Sequence, residues 1–289
     1  MSIIVTGATG HLGHLVVDKL LDRGVPAGDI VATGRNVAAL EDLDKAGVRV
    51  RRVDFSDPAS LEGAFAENDR VLLVSTNDMG ARVAQHQAVI DAAKNAGVDV
   101  LVYTSGPYAS TSPMKLMADH RLTEEAIATS GVPAIILRNG WYLENYTAQL
   151  DAYLDHGAVL GSAGEGRISA AARADYAEAA AAVLTDPTEH IGHSYELGGD
   201  ASFTLGELAD AVAVASGKPV VYADLPAAEH TAALVAAGLP EPAAETFVDV
   251  DQSARDGALF IDSGALRRLI GHPTTPLADA IKQAVADAD

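Results

Sequence analysis

The 289-residue sequence contains no cysteine, one tryptophan and five phenylalanines. Without cysteine the chain forms no disulfide and offers no thiolate as a nucleophile or metal ligand, so the cytoplasm is the expected compartment. No apolar run reaches the length that crosses a membrane, so no membrane association is predicted. The first residues have the pattern of a strand, and no secretory signal is predicted.

Basic residues are also scarce, with 20 lysines and arginines against 40 aspartates and glutamates and a formal net charge of −20. Proteins that bind nucleic acid or anionic membranes need clustered basic side chains to neutralise phosphates. Neither partner is therefore expected. The length suffices for one large hydrophobic core, or for one core with an attached lobe.

Three glycines spaced three apart, Gly7, Gly10 and Gly13, follow a short apolar run and precede a segment with helical periodicity. This order predicts a strand, a tight turn and a helix. Glycine lets the backbone approach a ligand closely, and the helix start offers N–H groups and a positive dipole end to a pyrophosphate. The spacing differs from G-x-G-x-x-G, but the mechanics are the same. The expected dinucleotide-binding residues here are Thr6, Gly7, Thr9, Gly10, His11, Leu12 and Gly13.

The second predicted strand ends just before Arg35, a little over twenty residues after the glycines. Enzymes that use NAD usually carry an acidic residue there, which binds the ribose 2′-hydroxyl. The Arg35 guanidinium is instead suited to a 2′-phosphate. The alternative is an ordinary solvated arginine. The sequence therefore favours NADP(H) over NAD(H).

Strand and helix patterns alternate along the first two thirds of the chain. Strands are predicted at 48–53, 71–75, 100–104, 134–137 and 193–197, and helices near 37–44, 58–65, 82–95, 115–129 and 175–184. Such alternation predicts an α/β fold with a Rossmann-like, doubly wound parallel sheet. From about residue 201 the pattern changes to a smaller, mostly helical lobe. We therefore expect an NAD(P)-binding domain at 1–200 and a lobe at 201–289 that contributes to the substrate pocket, within one compact unit.

In open parallel sheets, ligands bind beyond the carboxyl ends of the strands. The further candidate cofactor-binding residues lie at the ends of the predicted strands or just after them: Asp54, Phe55, Ser75, Thr76, Asn77, Thr104, Ser105, Asn139, Gly140, Trp141 and Tyr142. Asp54 and Phe55 are expected to flank the adenine. Ser75 and Asn77 are expected to meet the ribose and phosphate edge. For each polar residue the alternative is ordinary turn chemistry.

Trp141 and Tyr142 are expected at the nicotinamide end of the cofactor. Together with residues 114–117 they would line an apolar slot wide enough for a planar ring. Stacking of a flat acceptor on such side chains is favourable beyond the burial of area. The alternative for Trp141 is packing in the core.

Several segments together resemble the NmrA-like group of atypical short-chain dehydrogenases/reductases. They are residues 6–14, 35–36, 103–105, 137–142, 144–146, 173–176, 195–199 and 269–275. The segments run from the first strand almost to the C-terminal end, and those at 138–142 and 271–275 are narrower signatures than the glycine motif. The resemblance implies a Rossmann core, NADP(H) as cofactor, a small-molecule quinone as substrate and a homodimer.

The chain departs from the wider superfamily in its catalytic residues. None of the eight tyrosines is followed four residues later by lysine, and His120 stands at the place where the lysine is expected. Reversible alcohol oxidation by the usual tyrosine and lysine is therefore not predicted. Hydride transfer to a quinone leaves a phenolate-like oxygen with a conjugate acid of pKa about 10, so it needs a proton less urgently. Solvent suffices for that proton, or a weak donor, for which His120 and Tyr146 are the candidates. For His120 the alternative is a capping or packing role.

Two other functions remain open at this stage. The resemblance also implies a redox sensor of the NmrA-like type, which binds NADP and a protein partner without turnover, and the missing tyrosine–lysine pair fits that function as well. An aldehyde or enone reductase would share the cofactor site and differ only in its acceptor. No metal site is predicted for the two histidines of the first helix, His11 and His14. The glycine turn and its pyrophosphate site explain this turn better than a metal does, and no acidic neighbour completes a ligand set.

Overall fold

The computed structural model of the chain describes residues 1–78 and 80–288. Within them the strands are β1 Ile3–Val5, β2 Ile30–Gly34, β3 Arg49–Arg52, β4 Arg70–Leu73, β5 Val100–Ser105, β6 Ala134–Asn139, β7 Ala158–Gly161, β8 Ser194–Leu197 and β9 Val221–Asp224. The first helices are α1 His11–Asp22, α2 Glu41–Lys45, α3 Pro58–Leu61, α4 Arg82–Ala96, α5 Met117–Ser130, α6 Glu144–Thr147 and α7 Leu150–His156. The others are α8 Arg173–Thr185, α9 Leu205–Ser216, α10 Ala227–Ala236, α11 Glu241–Arg255, α12 Ala265–Ile270 and α13 Leu277–Ala288.

Seven strands form one sheet in the order β3-β2-β1-β4-β5-β6-β8. The five pairings from β3 to β6 are parallel. The strand order changes direction between β1 and β4, because β2 and β3 lie on one side of β1 and the later strands lie on the other. Ligands of such sheets bind at this switch point. The predicted Rossmann-like fold is confirmed.

The sheet is covered on both faces. Strands β1, β2 and β5 are buried at every position, which is typical of parallel strands between two layers of helices. On one face, Val89 and Ile90 of α4 belong to a buried cluster with strand residues such as Leu101. Helix α1 packs against the alanine-rich α8. Short side chains on α8 let the two helices approach closely.

Contacts divide the chain into two compact units. The first unit contains Met1–Ser110, Ala118–Asn139 and Arg173–Tyr195. The second contains Thr111–Met117, Gly140–Ala172 and the chain from Glu196 onward. These limits differ from the predicted boundary at residue 201, because the chain leaves the first unit after β6 and returns to it at α8.

The second unit is mostly helical and contains a small parallel sheet of β7 and β9. Helix α9 begins after Thr204 with a capping box, in which Thr204 and Glu207 exchange side-chain and backbone hydrogen bonds, and it ends before Gly217. Strand β7 was not predicted. None of the helices in the described part of the chain is long and apolar enough to cross a membrane.

Candidate active site

The glycine turn after β1 is shaped by two of its three glycines. Gly7 has a φ of +64°, which glycine adopts without strain. A Cβ on Gly13 would lie 2.5 Å from the carbonyl oxygen of Gly7. A Cβ on Gly10 would be 3.4 Å from the same oxygen, and Gly10 is exposed. Gly7 and Gly13 are thus required by the fold, whereas Gly10 leaves open space above the turn.

The end of β2 packs directly on this turn. A Cβ on Gly34 would lie 2.5 Å from Cγ2 of Thr9. The backbone N–H of Ala8 donates to the carbonyl oxygen of Thr33 at 2.8 Å. Gly34 stands just before Arg35, and a side chain at this position would push the strand away from the turn.

Helix α1 starts in a way that suits an anion. Gly10 is its N-cap and supplies no side-chain cap, and the first turn, which includes His11 and Leu12, carries no acidic residue. The positive end of the helix dipole is therefore not neutralised by the helix itself. Such a terminus binds phosphate groups.

Arg35 is exposed just beyond β2, and within the described residues no acceptor or anion pairs with its guanidinium. Asp54 follows β3. Its carboxylate accepts from the backbone N–H of Ser56 at 3.0 Å and lies 3.6 Å from Arg52. Phe55 is half-buried against the core. Of these side chains, Arg35 is the charged one that has no partner within the described residues.

Several predicted hydroxyl groups hold loops in place. Thr6 Oγ1 accepts from the backbone N–H of Val74 at 3.1 Å, and Thr104 Oγ1 accepts from that of Ser75 at 2.9 Å. Ser105 Oγ donates to Glu124 at 2.6 Å. The structure thus brings the ends of β1, β4 and β5 together, as predicted. The role of these hydroxyls in joining the strand ends was missed.

Three buried polar atoms at the carboxyl ends of strands have no hydrogen-bond partner within residues 1–78 and 80–288. They are Thr33 Oγ1 near the end of β2, Thr76 Oγ1 after β4 and Asn139 Oδ1 at the end of β6. A buried polar atom without a partner costs about 1–3 kcal/mol, so a polar ligand that supplies a hydrogen bond is favoured there. Asn77 is exposed beside Thr76. These atoms lie at the sheet edge where dinucleotides bind.

His120 is buried, and its Nδ1 lies 2.7 Å from the hydroxyl of Tyr103. Burial lowers the pKa of His120 to about 3, with Arg82 and His86 adding to the effect. Burial raises the pKa of Tyr103, so this hydroxyl keeps its proton at neutral pH. The imidazole of His120 is likewise neutral at neutral pH.

The other candidate donor, Tyr146, lies in the second unit. Its ring packs edge-on against Phe203 at a centroid distance of 5.7 Å. Burial raises the pKa of Tyr146, and the carboxylate of Asp251 adds to this effect. Tyr146 is therefore a weaker acid than an exposed tyrosine.

The remaining predicted residues follow β6 in the second unit. The backbone N–H of Gly140 donates to Leu197 at 2.8 Å, and Ala171 donates to the carbonyl oxygen of Trp141 at 3.1 Å. Tyr142 pairs with Ala171 in an isolated bridge. Trp141 and Tyr142 are half-buried. A tryptophan that only filled the core would be buried further.

Metal ligation finds no support in the part of the chain that is described, where His, Asp and Glu form no cluster of three. The two histidines of the first helix have separate environments. His14 Nε2 lies 3.0 Å from Asp42, whereas His11 is exposed.

Comparison with known proteins identifies the family. Residues 1–267 match the NmrA-like family. The chain belongs to this family. The sequence-based family prediction is thereby confirmed, and the match includes the glycine turn, Arg35 and the ends of all seven strands of the large sheet.

Individual NmrA-like relatives are similar over the whole length. Quinone oxidoreductase 2 of Escherichia coli K12 is 47% identical over 279 residues, which cover 96% of this chain and 97% of that protein. The crystal structure of the E. coli NADPH-dependent quinone oxidoreductase complexed with NADPH has a TM-score of 0.94 at 46% identity, covering 97% of this chain and 99% of that one. The triphenylmethane reductase of Citrobacter sp. complexed with NADP(H) has a TM-score of 0.92 at 38% identity, covering 98% and 100%.

Proposed function

We propose that this protein is an NADPH-dependent oxidoreductase that transfers hydride to quinones. The observation that carries the proposal is the near-complete structural match to the NADPH complex of the E. coli quinone oxidoreductase. The uncapped start of α1, the unpaired Arg35 and the orphaned polar atoms at the strand ends are the features that a dinucleotide phosphate would satisfy.

The residues of the first unit divide the cofactor between them. The glycine turn and the first turn of α1 hold the pyrophosphate, and Arg35 binds the 2′-phosphate. Asp54 and Phe55 flank the adenine, while residues 75–77 and Asn139 offer polar groups along the strand ends. When bound, NADPH supplies the hydride. The protein binds and orients the cofactor and the acceptor, and it excludes water from the site.

The protonation states of the side chains favour a quinone over an aliphatic carbonyl. His120 is neutral because its pKa is lowered to about 3, and the pKa of Tyr146 is raised, so neither is a strong acid at neutral pH. An aliphatic carbonyl needs a proton in the transition state. A reduced quinone oxygen resembles a phenolate with a pKa of about 10, and solvent can protonate it. His120 and Tyr146 serve at most as hydrogen-bond donors.

The test is turnover by the purified protein. We expect NADPH absorbance to fall when benzoquinone or a naphthoquinone is added, and no turnover with simple aldehydes. Efficient aldehyde reduction would contradict the proton argument. Tight NADPH binding with no turnover on a panel of quinones would instead support the redox sensor without turnover.

We also propose that the protein acts in the cytoplasm as a homodimer, without nucleic acid or membrane as partner. The family resemblance supports the dimer, and the cysteine-free, acidic composition supports the other two points. Light scattering should give twice the 29.8 kDa mass of one chain. A mass of one chain at micromolar concentration would contradict the dimer.

A further inference from the structure

The segment that follows β4 is held by side chains in place of a neighbouring strand. Strand β4 ends at Leu73, and the next three backbone N–H groups each donate to a side chain. Val74 donates to Thr6 Oγ1 at 3.1 Å, and Ser75 donates to Thr104 Oγ1 at 2.9 Å. Thr76 donates to Nε2 of His86 at 3.1 Å. This loop of residues 74–76 is therefore fixed at successive positions.

The hydrogen bonds of His86 determine its tautomer. Nε2 accepts from Thr76, so the ring proton of the neutral imidazole is on Nδ1, which lies 3.0 Å from Thr123 Oγ1. The Thr123 hydroxyl in turn donates to the carbonyl oxygen of Asp119 at 2.8 Å. His86 is fully buried, and both of its ring nitrogens are used. The ring thus connects the loop to helix α5 in one orientation.

Arg82 holds the other side of the same peptide. Its Nε donates to the carbonyl oxygen of Thr76 at 2.8 Å, and its Nη1 lies 3.8 Å from the carboxylate of Asp119. Arg82 and His86 are four residues apart and lie on one face of α4. Gln85 extends this face, since its amide donates to Ser56 at 3.0 Å and to Asp78 at 3.1 Å.

We propose that His86 and Arg82 are positioning residues for the cofactor. They bind the N–H and the carbonyl of Thr76 at once, so that the loop presents Ser75, Thr76 and Asn77 to the dinucleotide in a single conformation. The buried Thr76 Oγ1, which has no partner in the described part of the chain, is the group that this conformation offers. The inference rests on the proposed function, because the ligand is the NADPH assigned above.

The decisive variant is His86→Leu, which removes the acceptor of the Thr76 N–H. We expect the Kd for NADPH, measured by fluorescence titration, to rise about tenfold, which is the effect of about one lost hydrogen bond. The kcat at saturating NADPH should stay within about twofold, because the reacting atoms are not touched. His86→Gln keeps an acceptor and should restore most of the affinity.

Val89→Ala is the matched control, since Val89 is fully buried on the same helix, belongs to the hydrophobic cluster and makes no side-chain hydrogen bond. It should lower the melting temperature and leave the Kd for NADPH unchanged. Arg82→Lys keeps the charge but removes the Nε donor, so it tests the same loop if His86→Leu does not fold, and it should also raise the Kd. Wild-type affinity in His86→Leu, or in Arg82→Lys if that is the variant that folds, would overturn the inference. So would an equal loss in Val89→Ala. Failure of the proposed function is a separate result, in which the wild type itself does not bind NADPH or reduce quinones.

Discussion

At the scale of single residues, Arg35 should decide which nicotinamide cofactor is used. Its guanidinium has no partner in the described structure, so it is available to a 2′-phosphate. We expect Arg35→Ala to lower kcat/KM for NADPH by about 10- to 100-fold, which is the effect of losing a charge-assisted hydrogen bond. The value for NADH should change little, and steady-state kinetics with both cofactors measures this.

A suitable control for Arg35 is Arg49→Ala. Arg49 is an exposed arginine at the amino end of β3, where it donates to Ser2 at 2.7 Å. Its replacement changes the net charge equally, so it should leave the preference for NADPH intact. If the wild type used NADH as well as NADPH, Arg35 would be a solvated arginine, as the sequence alone allowed.

Trp141 is the residue that we expect to contact the acceptor. Loss of the ring in Trp141→Ala should raise the KM for quinone about tenfold, because it removes stacking worth about 0.5–1.5 kcal/mol as well as apolar contact area. The Kd for NADPH should stay within about twofold. Trp141→Phe keeps an aromatic face and should recover part of the loss. Equal damage to both ligands would assign Trp141 to the core.

The sequence predicted where the polar residues lie more reliably than what they do. Thr6, Ser75 and Thr104 were identified because they lie at or just after the ends of predicted strands, and the structure brings them together. Their hydrogen bonds could not be predicted, since each joins residues far apart in the sequence. For the same reason His86, which lies within a helix, carried no signal of its contact with Thr76.

At the scale of elements, the glycine turn offers a test with an internal control. Gly10→Val should abolish NADPH binding and leave the melting temperature nearly unchanged, because Gly10 is exposed and extended and a Cβ there meets no atom closer than 3.4 Å. Gly13→Ala should both weaken NADPH binding and lower the melting temperature, since its Cβ would lie 2.5 Å from the carbonyl oxygen of Gly7. Titration calorimetry and thermal unfolding measure the two effects.

Gly28→Val is the neutral counterpart of these turn variants. Gly28 is exposed in a short 3₁₀ helix, Ala27–Asp29, and a Cβ there meets no described atom within 4 Å. It should bind NADPH like the wild type. Full NADPH affinity in Gly10→Val would contradict the binding of the pyrophosphate at this turn.

The long elements were predictable because their periodicity is strong. Helix α4 and strand β5 lie within one or two residues of the predicted bounds. Strand β7 was missed, since it has four residues and pairs with β9 about sixty residues later. A short strand of that kind is defined by its distant partner and not by its own pattern.

At the scale of the whole molecule, the buried histidines make stability depend on pH. Burial and Arg82 lower the pKa of His86 to about 3, and that of His120 is equally low. In the unfolded chain these histidines become protonated near pH 6.5, whereas in the folded chain they stay neutral down to about pH 3. Their contribution to the free energy of unfolding is therefore complete above about pH 6.5 and is lost as the pH falls toward 3. Each histidine contributes up to about 1.4 kcal/mol per pH unit in that range.

Urea unfolding at about pH 7, 6 and 5 should therefore show a falling free energy of unfolding. His86→Gln should reduce the slope, because one of the two groups is removed. Asp251 of the second unit acts in the opposite direction, because burial raises its pKa to about 6. Its protonated form stabilises the folded chain at low pH, and this contribution to the free energy of unfolding is lost as the pH rises from about 4 to 6. A stability that did not change between pH 7 and 5 would contradict the low pKa of both histidines.

Because the first unit is discontinuous in sequence, its packing is completed only late in translation. Helix α1 packs against α8, which begins at Arg173 and follows α1 by roughly 160 residues. At about 5–20 residues per second, the ribosome needs about 8–30 s to supply that partner. During this interval the face of α1 that packs on α8 has no helix to cover it. A nascent chain of this fold is therefore exposed to aggregation until more than half of it has been translated, and its dependence on chaperones should end only when α8 has left the exit tunnel.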